Sequence, residues 1–459
     1  MSDRGTALSL PDLIHSHYHY VGVAGSGMSA LAQFQAMRGG NVTGSDRSLP
    51  PVWAAHFQQL GVRCFPQDGS GVTQGVHAVI RSTAVENDNA DLARAAGLGV
   101  PIFHRSEVLA EWVNGLKTLA VAGTSGKSTV AAMAFCILDG AGLSSSIITG
   151  GNLVELQEKG LAGNAFSGSS DILVVEADES DGTIVEYRPH VGLIMNVEKD
   201  HKEISELLHL FGQFRAQSRH GVVNADAPLL AEFVKGSCTY SIIKDADFKA
   251  GNIRFEPRGS SFAVNNVPFT LPVPGLYNVE NALAAIASCA CYGVPLDAMV
   301  GPLAAFKGVA RRFQLIGQKN GVEVIDDFAH NPAKVAAAIG AAQLRSTRVL
   351  AVFQPHGYGP LRFLKDDFVT AFRSALRPQD VLLMSEVYYA GGSVTRDVSS
   401  EDVIRPLFDA GRSAEFIAER KDIPARIRAL ARPGDCVLVM GARDATLTDF
   451  CREILEALG

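Results

Sequence analysis

The chain lacks the long apolar runs, basic clusters and paired cysteines that mark several classes of protein. Its 459 residues contain no apolar leader and no apolar stretch of about 18 residues, so we expect no membrane insertion. The formal charge is -7, and no basic run could neutralise a series of phosphates, so we expect no nucleic-acid partner. Seven scattered cysteines, without a Cys-x-x-Cys pair, are typical of core residues in a reducing compartment. These absences predict a cytoplasmic protein.

What the chain does contain is a glycine-rich turn between an apolar strand and an apolar helix. The strand is Leu119 to Ala122, and the turn at 123–129 reads Gly-Thr-Ser-Gly-Lys-Ser-Thr. Backbone N–H groups of such a turn hold phosphate oxygens, while Lys127 would reach the β- and γ-phosphates and Ser128 would bind Mg²⁺. Val121 stands where the Walker A motif has its first glycine, so the loop is a shorter variant. The sequence predicts ATP and Mg²⁺ as cofactors.

A buried strand that ends in a carboxylate follows further along the chain. It runs from Ile172 to Glu176, as in a Walker B motif, and places Glu176 to bind or orient Mg²⁺ beside the phosphate loop. The next acidic residues could assist it or be solvated loop charges, and they are Asp178, Glu179 and Asp181. His201 follows Asp200 after another apolar run. This histidine is a candidate for a second metal ligand.

The N-terminal part contains a second glycine turn. A strand from His19 leads into Gly-Val-Ala-Gly-Ser-Gly at 22–27 and then a helix, and a second strand at 42–46 ends in Asp46. This pattern resembles a Rossmann-type unit, in which the helix N-terminus faces a pyrophosphate and the carboxylate bonds a ribose or sugar hydroxyl. The glycine order departs from G-x-G-x-x-G. A dinucleotide, a nucleotide-sugar and a purely structural turn therefore remain open.

The strand and helix patterns predict an α/β protein of three domains, and the length agrees with that number. We expect a Rossmann-like domain at 1–113, a central P-loop ATPase-type domain with a mostly parallel sheet and helices at 114–314, and a second Rossmann-like domain at 315–459. Residues 239–273 alternate between apolar and polar side chains and carry turn signals. They predict short antiparallel strands at an edge of the central sheet.

Taken in order, the motifs resemble those of the Mur ligase family, the ATP-dependent amide-bond ligases of peptidoglycan precursor synthesis. The resemblance covers essentially the whole chain. Its motifs are Gly123-Thr124-x-Gly126-Lys127-Ser128-Thr129, Glu176 to Asp181, Asn196 to His201, Asn278-x-x-Asn281-Ala282, Arg311-Arg312-Phe313, Asp326-Asp327-Phe328-x-His330-x-Pro332 and Phe353 to His356. The glycine turn and the acidic run are most similar to the branch that adds L-alanine to UDP-N-acetylmuramate. A related branch attaches recycled murein tripeptide to the same sugar.

The resemblance implies a definite reaction. The γ-phosphate of ATP activates the lactyl carboxylate of UDP-N-acetylmuramate as an acyl phosphate, and the amine of an amino acid then attacks it. The products are the amide, ADP and phosphate. Because phosphoryl transfer mainly needs positioning and charge neutralisation, Lys127 and Mg²⁺ would supply most of the barrier reduction. The implied metal ligands are Ser128, Glu176 and His201.

The resemblance also implies which residues bind each substrate. The implied ATP-binding residues are Gly123, Thr124, Ser125, Gly126, Lys127, Ser128, Thr129, Asn281, Arg312 and Asp327. The implied UDP-sugar-binding residues are Gly25, Ser26, Gly27, Met28, Asp46, Ser82, Thr83 and Arg105. The implied residues around the amino acid are His330 as a catalytic candidate, with His356 and Arg362 as substrate contacts.

The chain departs from the alanine-adding branch at several positions. Ser125 and Tyr277 stand where that branch usually has histidine. After His356 the branch typically has Arg-Phe-Thr-Arg, whereas this chain has Gly-Tyr-Gly-Pro at 357–360 and keeps only Arg362. The loss of two guanidinium groups removes bidentate recognition of a carboxylate. The sequence therefore does not determine which amino acid is the acceptor.

Other interpretations remain open from the sequence. The enzyme could be the tripeptide-recycling ligase or a Mur-type ligase for another amino acid. A catalytically silent nucleotide-binding partner protein is a different class, although such a protein would be expected to lose some of the implied catalytic residues. An NAD-dependent oxidoreductase would leave the phosphate loop unexplained. For the ligase we expect small-molecule substrates, UDP-N-acetylmuramate and an amino acid, and a monomer or homodimer.

Overall fold

The computed structural model describes residues 8–179, 182–198, 203–256, 259–389, 395–444 and 446–459. Its contacts divide the chain into two compact units. The first contains residues 1–253, 261–272 and 276–307, and the second contains 254–260, 273–275 and 308–459. The first unit contains the first β-sheet and most of the second, and the second unit contains the third.

The first sheet is parallel throughout and has the strand order β3-β2-β1-β4-β5. Its strands are β1 (His17–Val21), β2 (Asn41–Ser45), β3 (Arg63–Phe65), β4 (Ala78–Arg81) and β5 (Ile102–His104). Its helices are α1 (Leu10–His15), α2 (Ser26–Met37), α3 (Pro51–Gln59), α4 (Ala90–Leu98) and α5 (Arg105–Gly115). The order reverses between β1 and β4, which is where a doubly wound sheet binds its ligand. The Rossmann-like prediction is confirmed.

The second sheet has ten strands, in the order β15-β14-β13-β12-β11-β10-β6-β9-β7-β8. They are β6 (Lys117–Ala122), β7 (Ser146–Ile148), β8 (Ala165–Phe166), β9 (Ile172–Glu176), β10 (Val191–Ile194), β11 (His220–Asn224), β12 (Cys238–Ser241), β13 (Phe248–Glu256), β14 (Gly259–Val264) and β15 (Val267–Leu271). The helices are α6 (Lys127–Gly140), α7 (Val154–Glu158), α8 (Ile204–Gln217), α9 (Leu276–Ala290) and α10 (Leu296–Ala304). Strand β6 pairs in parallel with β9 and β10, so the phosphate loop leaves the buried middle of the sheet.

The predicted antiparallel edge of this sheet is wrong for β12, which pairs in parallel with both β11 and β13. The reason is Asp226, whose carboxylate accepts the backbone N–H groups of Ile242 at 2.7 Å and of Lys244 at 3.2 Å. These bonds turn the chain back after β12, so that β13 starts again in the same direction. Only two residues, at 265–266, join β14 to β15, and a connection that short requires an antiparallel hairpin.

The third sheet lies in the second unit, with the order β16-β17-β21-β18-β19-β20. Its strands are β16 (Gln314–Lys319), β17 (Val322–Asp327), β18 (Arg348–Gln354), β19 (Val381–Met384), β20 (Ser413–Phe416) and β21 (Asp435–Gly441). The helices are α11 (Pro332–Gln343), α12 (Tyr358–Ala375), α13 (Glu401–Asp409), α14 (Ile423–Leu430) and α15 (Leu447–Ala457). Only β16 and β17 pair antiparallel, and the last strand, β21, lies between β17 and β18.

The three sheets confirm the predicted α/β class. Helix α5 spans the predicted first boundary at 113–114, and the exact domain limits stay predictions. Within the described ranges, no helix combines the length and the apolar character that crossing a membrane requires. All seven cysteines are free thiols, and four of them are buried, as expected for core residues.

Candidate active site

The phosphate loop connects β6 to α6 through two glycines with left-handed backbone. Gly123 has φ 140° and Gly126 has φ 88°, and Gly126 is the N-cap of α6. A Cβ at Gly126 would lie 2.7 Å from Oδ1 of Asn281 and 2.8 Å from Cε of Met195. Glycine is therefore required here both by conformation and by space. Asn281, one of the predicted ATP-binding residues, lies directly against the loop.

Asn196, which follows β10, holds the loop in this shape. Its Oδ1 accepts the backbone N–H of Ser125 at 2.9 Å and the hydroxyl of Thr124 at 3.1 Å, while its Nδ2 donates to the carbonyl of Ser125 at 3.0 Å. The amide side chain of Asn196 thus pairs with both the backbone N–H and the backbone carbonyl of Ser125. The motif containing Asn196 was recognised in the sequence, but this supporting role was not.

Lys127, the first residue of α6, has two oxygen partners. Its Nζ donates to the carbonyl of Gly123 at 2.8 Å and lies 2.8 Å from Oε2 of Glu179. The two charged side chains are only 17% and 10% exposed. Glu179 is therefore an internal counter-ion of the lysine, and the alternative of a solvated loop charge is excluded for it. Phosphate oxygens that bind Lys127 must compete with this carboxylate.

Ser128 and Glu176 form the pair that could hold a metal ion. The Ser128 hydroxyl donates to Oε2 of Glu176 at 3.0 Å, and Oε1 accepts the N–H of Gly150 at 2.7 Å and the Thr149 hydroxyl. A hydroxyl and a carboxylate are oxygen ligands of the kind Mg²⁺ prefers. Among the described residues, no group of three or more His, Cys, Asp or Glu side chains is placed so that it could hold a metal ion. His201 and Asp181 lie outside the described residues.

The predicted sugar-binding residues gather at the carboxyl edge of the first sheet. Gly25 is the N-cap of α2, and a Cβ at Gly27 would lie 2.9 Å from Nη1 of Arg105. The other members follow β2 and β4 or begin α2, and they are Ser26, Met28, Asp46, Ser82 and Thr83. The Met28 side chain is buried in the core, so only its backbone is available at the helix N-terminus.

Asp46 has a role that the sequence interpretation did not include. Its Oδ2 accepts the N–H of Ala24 at 3.0 Å, and its Oδ1 accepts that of Ser48 at 3.1 Å. The carboxylate therefore fixes the glycine turn after β1 to the end of β2. Contact with a sugar hydroxyl stays a prediction for this residue.

In the second unit, Arg312 lies in a strained turn next to β17. Its neighbours Arg311 and Phe313 have φ values of 60° and 52°, which are uncommon for residues with a side chain. Asp327 stabilises the turn by accepting the N–H groups of Phe313 and Ala329, each at 2.7 Å. Burial raises the pKa of the Asp327 carboxyl to about 6, and the attraction of Arg312 opposes that rise.

Two histidines meet at the carboxyl edge of the third sheet. The rings of His330 and His356 have centroids 5.5 Å apart. Burial lowers the pKa of His356 to about 4, and the charges of His330 and Arg443 add to the shift. The His356 imidazole is therefore neutral at pH 7. Arg362 is engaged elsewhere: its guanidinium donates to Asp397, with 2.8 Å from Nε, and to the carbonyl of Thr395 at 2.8 Å.

Three family descriptions match in order: "Mur ligase family, catalytic domain" at residues 17–116, "Mur ligase middle domain" at 121–289, and "Mur ligase, glutamate ligase domain" at 311–443. The UDP-N-acetylmuramate--L-alanine ligase of Pelotomaculum thermopropionicum is 35% identical over 447 residues, which are 93% of this chain and 95% of that protein. The chain belongs to the Mur ligase family.

Other Mur ligases extend the similarity. The protein of the same name from Sorangium cellulosum is 34% identical over 93% of this chain and 94% of its own length. The crystal structure of a UDP-N-acetylmuramate-alanine ligase from Thermotoga maritima matches with a TM-score of 0.80 at 26% identity, over 97% of this chain and 99% of that one. A murein peptide ligase from Psychrobacter arcticus shares the fold, with a TM-score of 0.68 at 23% identity over 97% and 99% of the two chains.

In this Mur ligase, Asn164, the residue before β8, connects the helix that follows β1 to the second sheet. Its Nδ2 donates to the carbonyl of Ser26 at 3.2 Å and to the Ser29 hydroxyl at 3.0 Å, and its Oδ1 accepts the Gln33 amide at 3.0 Å. Asn164, Ser29 and Gln33 are buried. The predicted sugar-binding end of α2 is thereby held against the central sheet. Sequence reasoning missed this residue, because no local motif marks it.

Proposed function

We propose that this protein is an ADP-forming ligase that joins an amino acid, L-alanine in the first place, to the lactyl carboxylate of UDP-N-acetylmuramate. The observation that carries the proposal is the assembled phosphate loop, in which the adjacent residues Lys127 and Ser128 begin α6 and the Ser128 hydroxyl donates to Glu176 at the end of β9. The names of the relatives at 34–35% identity support the reaction and the sugar.

The residues of the chain would divide the work as follows. N–H groups of the loop and of the α6 N-terminus bind the phosphates of ATP, and Lys127 turns from Glu179 towards the γ-phosphate. Mg²⁺, held by Ser128 and Glu176, would supply positive charge where the transferred phosphoryl group needs it. The lactyl carboxylate attacks that group, and the acyl phosphate then reacts with the uncharged amine of the amino acid.

Phosphate release tests the proposal directly. The purified protein is incubated with ATP, Mg²⁺ and UDP-N-acetylmuramate across a panel of amino acids, and the product masses are read. We expect ADP, phosphate and the L-alanyl amide in equal amounts. Absence of product and of ATP turnover with every acceptor would contradict the ligase and favour a silent nucleotide-binding protein.

The panel includes murein tripeptide because the segment at 357–360 lacks the arginines expected for binding alanine. An amide formed only with tripeptide, or only with another amino acid, would keep the reaction class and change the acceptor. Omitting Mg²⁺ should abolish turnover, which tests the metal separately from the acceptor.

A further inference from the structure

The carboxyl edge of the third sheet contains a second group of side chains beside the histidines. The loops after β18 and β19 are joined there, since the N–H of Gly357 donates to the carbonyl of Tyr388 at 2.9 Å and the N–H of Tyr388 donates to Pro355 at 2.8 Å. The rings of Tyr358 and Tyr389 lie on these loops with centroids 6.0 Å apart. Strand β21 is inserted beside β18, so the edge lies next to the point where the strand order reverses. Open α/β sheets bind their ligands at such a point.

Arg396 lies on these two tyrosines. Its guanidinium carbon is 4.3 Å from the ring centroid of Tyr389 and 5.9 Å from that of Tyr358. The residue is exposed, and among the described residues no carboxylate lies within ion-pair distance of it. Arg362 differs, because Asp397 neutralises its charge. Of these two arginines, only Arg396 has a guanidinium edge available for an anion.

The surroundings of Arg396 also favour a negative group. Helix α12 begins at Tyr358, no side chain caps its N-terminus, and its first turn contains no acidic residue. The positive end of an 18-residue helix therefore faces the same loops. Burial keeps His356, just before this turn, neutral at pH 7 through its lowered pKa. A neutral imidazole can accept a hydrogen bond from an amine, whereas an imidazolium would repel it.

We propose that Arg396, oriented by Tyr358 and Tyr389, binds the carboxylate of the incoming amino acid, an inference that rests on the proposed ligase function. A guanidinium presents two parallel N–H groups that match the two oxygens of a carboxylate. Stacking on the tyrosine faces leaves the edge of the fork free and limits its rotation, so little order is lost when the amino acid binds. Arg396 thereby takes the place of the guanidinium groups that the segment at 357–360 lacks.

The experiment compares Arg396→Ala and Arg396→Lys with the wild-type enzyme. We expect Arg396→Ala to raise the KM for L-alanine about 10- to 100-fold, because charged hydrogen bonds are lost, with no change in the KM for ATP or UDP-N-acetylmuramate. Arg396→Lys keeps the positive charge but lacks the two parallel N–H groups, so its KM for L-alanine should lie between those of the wild type and Arg396→Ala. The matched control is Arg405→Ala, an exposed arginine of α13 paired with Glu401, which should behave as wild type.

A second readout identifies the group that Arg396 recognises. Wild type should prefer L-alanine to L-alaninamide, which lacks the carboxylate, and Arg396→Ala should lose most of that preference. An unchanged KM and an unchanged preference in Arg396→Ala would overturn the inference while leaving the ligase intact. If another amino acid proves to be the acceptor, it and its amide replace the alanine pair.

Binding of the amino acid to Arg396 can be measured even if the protein forms no amide. Saturation-transfer NMR measures binding of L-alanine to the wild type and to Arg396→Ala without any turnover. Weaker binding by the variant would support the carboxylate contact. Equal binding, or none by the wild type to any amino acid of the panel, would reject it. Thermal unfolding of each variant checks that the exposed substitution leaves the fold unchanged.

Discussion

At the scale of single residues, the pair formed by Lys127 and Glu179 determines the charge of the ATP site before ATP binds. The carboxylate neutralises the lysine in a largely buried position, and ATP must displace it. We expect Glu179→Gln to lower the free energy of unfolding of the ligand-free protein by about 1–3 kcal/mol, because Lys127 loses its counter-ion. The same change should tighten ATP binding several-fold.

Calorimetric titration with ATP and thermal unfolding without it measure the two effects. The control is Glu158→Gln, since Glu158 pairs with Lys307 at the exposed surface of the same unit. That substitution should change neither quantity measurably. Weaker ATP binding by Glu179→Gln would instead show that the carboxylate assists the nucleotide.

Asp327 makes the stability of the second unit depend on pH. Its pKa in the folded protein is about 6, above the ordinary value, because the carboxyl is buried. Between about pH 4 and pH 6 the folded state holds a proton that the unfolded state has released, so this group lowers stability as pH rises through that window. Asp327→Asn should therefore gain stability relative to wild type from pH 4 to pH 6, by up to about 2–3 kcal/mol.

The measurement is the difference in unfolding free energy between wild type and Asp327→Asn at several pH values. Other titrating groups cancel in this difference, because both proteins contain them. Any change in the two N–H bonds to Asp327 shifts this difference in unfolding free energy by the same amount at every pH. The dependence of the difference on pH therefore reports the titration of the carboxyl. A difference that does not vary with pH would show that the carboxyl titrates normally.

At the scale of elements, helix α6 has a glycine with left-handed backbone at each end: Gly126 in the turn from β6, and Gly142 just after the helix. Gly126 has φ 88° with Asn281 and Met195 against it, whereas Gly142 has φ 81° with nothing within 4 Å. Gly142→Ala should cost about 1 kcal/mol through backbone strain alone and leave ATP binding intact. Gly126→Ala should also push the loop from Asn281 and weaken ATP binding by 10-fold or more.

Nucleotide titration of both variants separates strain from contact. Equal losses of ATP affinity in the two variants would show that backbone strain, and not contact with Asn281 and Met195, accounts for the effect at Gly126. Equal affinities, close to wild type, would show that the loop has room for a methyl group.

Sequence patterns predicted those helices and strands whose apolar pattern lies within the element itself. Strand β9 was placed at Ile172–Glu176 without error, because a strand buried on both faces is a continuous apolar run. Strand β8 has two residues and β3 has three, and such short strands carry too little pattern to be recognised. The direction of β12 depends on Asp226, which lies in another loop.

The candidate site divides in the same way. The phosphate loop is one continuous segment, and Glu176 ends a continuous apolar run, so each could be recognised from its own local pattern. Asn164 and Thr149 bond partners far away in the chain, and Arg396 lies over Tyr358 of another loop. Single-sequence patterns do not contain those pairings. Glu179 could be proposed but not assigned, because its distance to Lys127 depends on how the loop after β9 folds.

At the scale of the whole molecule, Asn164 joins the predicted sugar-binding helix to the sheet that holds the phosphate loop. We expect Asn164→Ala to lower the free energy of unfolding by about 1–3 kcal/mol, because the buried Gln33 amide and Ser29 hydroxyl lose a partner. The KM for UDP-N-acetylmuramate should rise more than the KM for ATP, since α2 begins at Ser26.

A double-mutant cycle with Gln33→Ala tests the coupling. If the two side chains act as one unit, the double variant should lose less than the sum of the single variants. If the losses of unfolding free energy in the two single variants simply add up in the double variant, the proposed connection is contradicted. An equal rise of the KM values for UDP-N-acetylmuramate and ATP would show that the Asn164 substitution does not act on the sugar site in particular.

The position of β21 has a consequence for how the protein is made. This strand lies between β17 and β18, yet its residues, Asp435–Gly441, are synthesised after those of every other strand of the third sheet. The first unit is complete by residue 307 and can fold while synthesis continues. The third sheet must wait with β17 and β18 separated, and the backbone groups at their facing edges unpaired, until synthesis reaches the strand between them.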